Sequence, residues 1–235
     1  MCFLIEDYLN KTNNIYPSDI HYKLQEIVDV KNRVLGYEVL LDPLNLPKQE
    51  IKDLYNREIQ YPHMSRALIS RLEHYIHQHT NDFFGKYVFI NLERSNLCDK
   101  YLLCDIVILR NTLETLKADL VIEVTERNTC QRCPEIQKGF DFLKKQNVLL
   151  AVDDYDLDFD FREQEVLGGL YQFIKVEHST KQDYYDRVFE LSKKTRAKLI
   201  IERVETPLER MQITQSNIPV WGLQGFLYKT LTVNL

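Results

Sequence analysis

Short apolar runs that each give way to a polar, mostly acidic residue recur along this chain, and stretches with helical spacing separate them. The strand-like runs are Ile20–Val30, Val34–Leu41, Tyr87–Leu92, Leu120–Val124, Val148–Val152, Phe173–Val176 and Lys198–Glu202, with a last one beginning at Pro219–Trp221. At their exits stand Glu38, Asn91, Glu123, Asp153, Lys175 and Glu202. Short buried strands alternating with helices predict a parallel sheet, closed or open. In a closed barrel the strand ends meet at one mouth, so residues as distant in sequence as Glu38 and Glu202 would share one site.

The intervening segments carry the helical signal. Met64–His79 places Met64, Ala67, Leu68, Leu72, Tyr75 and Ile76 on one face. Tyr101–Leu116, Glu135–Gln146, Gln182–Thr195 and Leu208–Gln215 read as further helices. The first two strand-like runs flank the turn Lys31-Asn32-Arg33 and predict an antiparallel opening. Residues 1–19 have little periodicity and read as an N-terminal extension with a Pro17-Ser18-Asp19 turn, leaving 20–235 as one domain.

Composition narrows the functional classes. With 235 residues, 44% of them hydrophobic, the chain can bury a large core. A net charge of -5 and no basic arm disfavour direct nucleic-acid binding, which needs clustered Lys and Arg. No stretch has the length of an apolar membrane span, and the start lacks the basic region of a signal peptide. Five cysteines, an odd number, argue for a reducing cytoplasm rather than a disulfide framework.

Glu38, Glu123, Asp153, Asp154 and Glu202 converging on one mouth would repel one another unless cations were present. Hard divalent ions such as Mg²⁺ or Mn²⁺ prefer such oxygen ligands, and Asn91 adds a neutral carbonyl oxygen. A pair of ions sharing Asp153 could activate a water and clamp a phosphodiester.

The ordered set Glu38-Val39-Leu40, Asn91, Glu123-Val124-Thr125-Glu126, Asp153-Asp154, Lys175, Glu202-Arg203-Val204-Glu205-Thr206 and Gln224-Gly225-Phe226 resembles the EAL-domain family of bacterial cyclic-di-GMP phosphodiesterases. The resemblance covers Ile20 to Tyr228. It implies a modified TIM-like (β/α)8 barrel and a two-metal site of Glu38, Asn91, Glu123, Asp153, Asp154 and Glu202. It also implies that Lys175 orients the nucleophilic water, with Lys175 and Glu202 as catalytic residues. Glu126 then matches the glutamate that supports the catalytic loop, and Gln224 the late polar, substrate-side residue.

The pattern breaks where substrate would be gripped. The family arginine that holds a phosphate stands here as Asp42, which reverses the charge. The Gly-rich loop after the aspartate pair is replaced by Asp153 to Phe161, with no glycine until Gly168. The glycine after the last metal-binding glutamate is Arg203, which would fill the pocket or pair with an acid there, including one a metal needs. Glu177 replaces an aspartate. These departures point to a degenerate member that acts by protein contact. Family members of that kind include enterobacterial regulators that bind the flagellar master transcription activator. The intact metal set supports the alternative, an active phosphodiesterase yielding linear pGpG.

Three smaller signals carry ordinary expectations. Asp154, Asp156, Asp158, Asp160 and Glu165 have the spacing of a calcium loop, but Phe159 stands where such loops need glycine. If extended, the same run puts Tyr155, Leu157, Phe159 and Phe161 on one side, facing the core or a partner. Cys130-Gln131-Arg132-Cys133 lacks a second pair and reads as ordinary thiols, and His74 and His77 as a solvated helix face.

Overall fold

Nine strands, eight α-helices and a 3-10 helix (Arg94–Cys98) form among the described residues. The computed structural model describes residues 21–42, 47–56, 60–125, 133–181, 183–216, 218–233 and 235. The expected extension 1–19, Glu126 and Cys130 lie outside the described residues. β1 (His21–Val28) and β2 (Val34–Asp42) form the antiparallel opening. Asp29 sets their turn, its Oδ1 accepting from the backbone N–H groups of Lys31 and Arg33 at 2.8 Å each.

From β2 the sheet runs parallel through β3 (Tyr87–Leu92), β4 (Asp119–Val124), β5 (Leu149–Val152), β6 (Phe173–Glu177), β7 (Lys198–Glu202) and β8 (Val220–Leu223). β1 pairs antiparallel with both β8 and β2, so the sheet closes into a barrel. A ninth strand, β9 (Thr230–Val233), adds antiparallel to β1. It went unrecognised in the sequence because only Val233 of its four residues is buried, too little for a period-two signal.

The helices are α1 (Lys48–Leu54), α2 (Pro62–Gln78), α3 (Thr80–Phe83), α4 (Lys100–Thr115), α5 (Pro134–Lys145), α6 (Glu163–Leu167), α7 (Tyr184–Lys194) and α8 (Pro207–Gln215). Local chemistry fixes their starts. Proline stands in the first turn of α2, α5 and α8, where its missing N–H costs nothing. The Asp99 side chain caps α4 by accepting from Leu102 N at 2.8 Å. Thr206 and Glu209 form a reciprocal capping box that starts α8 four residues beyond β7. α2 buries Met64, Leu68, Ile69, Leu72 and Ile76, each side chain contributing about 1.5–3 kcal/mol.

The barrel interior is layered. Ile27, Phe89, Val121, Ala151, Phe173 and Ile200 form a wholly apolar inner layer, and none of the six exposes any measurable surface. Tyr87, Leu149 and Trp221 pack beneath it, with the Trp221 ring 4.9 Å from that of Phe173 and 5.1 Å from that of Tyr87. This aromatic floor fills one end. Side chains repeat a face every two residues along a strand. Two positions beyond Phe89, Val121, Ala151, Phe173 and Ile200 come Asn91, Glu123, Asp153, Lys175 and Glu202. The polar mouth therefore sits directly on the apolar floor.

Candidate functional site

Lys175 is the centre of the mouth. Its Nζ, carried from the middle of β6 and buried, lies 2.9 Å from Glu38 Oε2, 2.8 Å from Glu123 Oε1, 3.3 Å from Asp153 Oδ1 and 2.9 Å from Glu202 Oε1. Five strands or strand ends thus deliver one cation and four carboxylates to one point. Asn91 Nδ2 donates to Glu38 Oε1 at 2.7 Å. Gln224 Nε2 donates to Glu38 Oε2 and, at 2.8 Å, to Gln25 Oε1. Gln25 had no sequence signal, because it lies inside a strand that reads as core. Gly225 makes the placement of Gln224 possible. It has φ +152°, and an added Cβ would lie 2.3 Å from the backbone N and O of Val204.

The electrostatics follow from one positive charge among several negative ones. Burial alone would lower the Lys175 ammonium, but Glu123, Glu202, Glu38 and Asp153 outweigh it and hold its pKa well above the ordinary range. Burial would raise Glu38, yet the Lys175 charge and the hydrogen bonds from Gln224 and Lys175 keep it below the usual range. Glu123 is pushed well above that range by burial and then by the Glu38 charge. Glu202 is raised to about 8, by burial first, with Asp153 and Glu38 adding to it against Lys175. The mouth is thus short of positive charge.

The donor set fits a hard divalent cation. Oxygens of Asp153, Asp154 and Glu202 lie within 4.8 Å of one another. Buried oxygens of the site also lack hydrogen-bond partners: Glu123 Oε2, Glu202 Oε2 and Gln224 Oε1. Carboxylates with unused lone pairs and excess negative charge are the environment Mg²⁺ or Mn²⁺ requires.

Above this floor opens a cleft of about 1080 Å³. Glu38, Asn91, Asp153, Asp154, Glu202 and Gln224 line it, together with Tyr22, Phe226 and Arg203. Arg203 does not enter the acid cluster. Its Nη2 pairs with Glu177 Oε1 at 2.5 Å, and both side chains are substantially exposed. Of the two sequence expectations for Arg203, filling the pocket or pairing with an acid, the structure has it lining the cleft and paired with an acid outside the metal set, Glu177. The backbone at Arg203 has φ +56°, the left-handed conformation that favours glycine.

The segment after Asp154 is not an extended strand. Asp158 N donates to Asp156 Oδ1 at 2.7 Å and Arg162 N to Asp160 Oδ1 at 2.8 Å, local turns that compete with a strand. Tyr155 is buried, whereas Phe159 is 81% exposed, so the expected one-sided alternation breaks there. The calcium-loop acids are also dispersed. Asp158 pairs with Lys181 and Arg187, Asp160 with Arg162, and Glu165 with Arg94. Arg162, missed in the sequence, is wholly buried and pins the loop. Its guanidinium donates to both Asp160 oxygens and, at 2.9 Å, to Val124 O.

Comparison with known proteins places this geometry. No family model matches the chain. Over 128 residues, half of this chain, it is 30% identical to the cyclic di-GMP phosphodiesterase PdeL of Escherichia coli strain K12, and the match spans 34% of that protein. The Xanthomonas citri FimX EAL domain in complex with c-diGMP superposes with a TM-score of 0.70 at 10% identity, covering 92% of this chain and 89% of that one. The chain has the EAL fold. Klebsiella pneumoniae BlrP1, in a manganese/cy-diGMP complex, gives 0.67 at 22% identity over 91% of this chain and 56% of its own. The Listeria monocytogenes EAL domain protein gives 0.64 at 18% identity over 92% and 89%. Among the described residues of this EAL barrel, no helix is long and apolar enough to cross a membrane.

Proposed function

We propose that this EAL barrel is a divalent-cation-dependent cyclic-di-GMP phosphodiesterase that opens one phosphodiester to give linear pGpG. The observation that carries the reading is the cluster of Glu38, Glu123, Asp153 and Glu202 around Lys175, with Asp154 beside it at the base of the cleft. In this reading Glu38, Asn91, Glu123, Asp153, Asp154 and Glu202 hold two Mg²⁺ or Mn²⁺ ions. Bound there, such ions lower the pKa of a water and neutralise the phosphodiester. Lys175 remains protonated, since its pKa is raised. It therefore cannot accept a proton; it donates hydrogen bonds and orients the attacking oxygen. Gln224 and Asn91 fix the Glu38 carboxylate from two sides. The cleft has the volume of a nucleotide-sized pocket, and Tyr22 and Phe226 line it with aromatic surface for bases. That Arg203 pairs with Glu177 removes one of the sequence-level objections to catalysis.

The test is incubation of the purified chain with cyclic-di-GMP and Mn²⁺ and chromatography of the products, alongside thermal melts. Formation of pGpG and a higher Tm in millimolar Mn²⁺ are expected, with both lost in an Asp153→Asn/Glu123→Gln double variant. No pGpG and no shift would refute the reading.

A second reading, a regulator that works by contact, draws on a separate observation. Asp42 ends β2, and the Arg162-clamped loop holds Phe159 out in solvent. A rigid loop bearing an exposed aromatic suits burial against a protein such as a flagellar transcription activator. In a motility assay it expects Phe159→Ser to weaken regulation and Glu38→Ala, if folded, to leave it intact.

A further inference from the structure

Acids outnumber cations six to three among the described residues lining the cleft, the cations being Lys23, Lys52 and Arg203. Lys175 beneath the lining offsets one of these acids, and with no metal bound a phosphodiester entering there still meets net repulsion unless positive charge is aimed at it. No arginine stands at the end of β2, where the chain has Asp42. Of the three cations, only Arg203 directly follows an acid of the proposed metal set, Glu202. Its planar fork of N–H donors matches two phosphate oxygens, which an ammonium cannot do.

Two further features suit Arg203 to exchange partners. Its guanidinium is held by Glu177, in a pair whose side chains are 67% and 42% exposed. Exposed ion pairs of this kind are weak and are readily traded for a stronger partner. Its backbone also keeps φ +56°, a conformation that a non-glycine residue adopts only against steric cost. Strain of this sort is retained where surrounding structure or function demands the side chain.

We infer that Arg203 is the ligand-phosphate clamp of this mouth, held in reserve by Glu177 and transferred to a phosphate oxygen when a cyclic dinucleotide enters. The inference rests on the cyclic-di-GMP reading and deepens it. Glu177 acts as a competitor for the guanidinium, so it tunes affinity without touching the ligand.

The experiment is calorimetric titration of the full chain with a non-hydrolysable phosphorothioate analogue of cyclic-di-GMP in Mn²⁺. Arg203→Gly suits the left-handed backbone and is expected to melt no lower than wild type, so a loss of binding cannot be assigned to unfolding. Its Kd should rise about tenfold or more, the usual scale for one charge-assisted contact. Glu177→Ala should bind about two- to fivefold tighter, in keeping with release of an exposed pair. Wild-type binding with Arg203→Gly unchanged overturns the clamp and leaves the cyclic-di-GMP reading standing. Failure of the wild type to bind the analogue in Mn²⁺ overturns both.

Discussion

Replacing Lys175 by methionine tests whether the mouth is an electrostatic cluster or a set of neutral acids that happen to meet. The substitution keeps the length of the stem and removes the one charge that touches Glu38, Glu123, Asp153 and Glu202 within 3.3 Å. Breaking a buried ion pair by truncating one partner costs about 3–5 kcal/mol, because the other charge is left uncompensated. Lys175 serves four partners, so the upper end of that range, about 5 kcal/mol, is expected. That is a large share of a total stability of about 5–15 kcal/mol. Urea denaturation followed by the fluorescence of Trp221, the only tryptophan, measures it. Trp221 packs in the floor against Phe173 and Tyr87, so its signal reports unfolding and not the altered mouth. The midpoint should fall with the slope unchanged. Mn²⁺ should recover about 2.7 kcal/mol of the loss at a hundred times its Kd. A loss under about 1 kcal/mol would refute the reasoning, since it would mean that the acids carry no charge for Lys175 to offset.

Two further perturbations address the scaffold around the mouth. Arg162→Met leaves Asp160 buried without its partner and frees Val124 O, so stability should drop by about 3 kcal/mol and proteolysis should begin in the 153–162 segment; an unchanged digestion pattern would show that the loop does not depend on the arginine. Asp29→Ala removes two backbone acceptor contacts from the hairpin turn and should cost about 1–2 kcal/mol at neutral pH. Burial would raise the Asp29 carboxyl, but its bonds to Arg33 and Lys31 win and lower it. A lowered folded pKa means the contribution is complete above the ordinary carboxylate range and disappears as pH falls through the folded value. Wild type and variant should therefore converge in acid, which denaturation at a series of pH values checks.

Much of the barrel was legible because its strands obey period two. Phe89 and Asn91, Val121 and Glu123, Ala151 and Asp153, Phe173 and Lys175, Ile200 and Glu202 are each an inward apolar residue followed two places later by a polar one. The sequence therefore held both the floor and the convergence of the mouth. What was illegible depends on contacts without periodicity. The Arg203–Glu177 pair joins the ends of two neighbouring strands through exposed side chains, and neither residue type announces its partner. Arg162 sits in an acidic run that reads as solvated, and only the folded chain shows it buried against Val124. Alternation failed at Phe159 because aspartates on either side bond the local backbone and bend it.

The aromatic floor has a consequence for traffic. Among the described residues, Phe89, Phe173 and Trp221 plug one end, and the cleft opens the acids to solvent at the other. A chamber with one door imposes an order of entry. On the proposed phosphodiesterase reading, small cations would be seated before a dinucleotide covers them, and would leave only after it does. Cation exchange should therefore stall while the cleft is occupied, and a protein given dinucleotide first should show a lag that one given Mn²⁺ first does not.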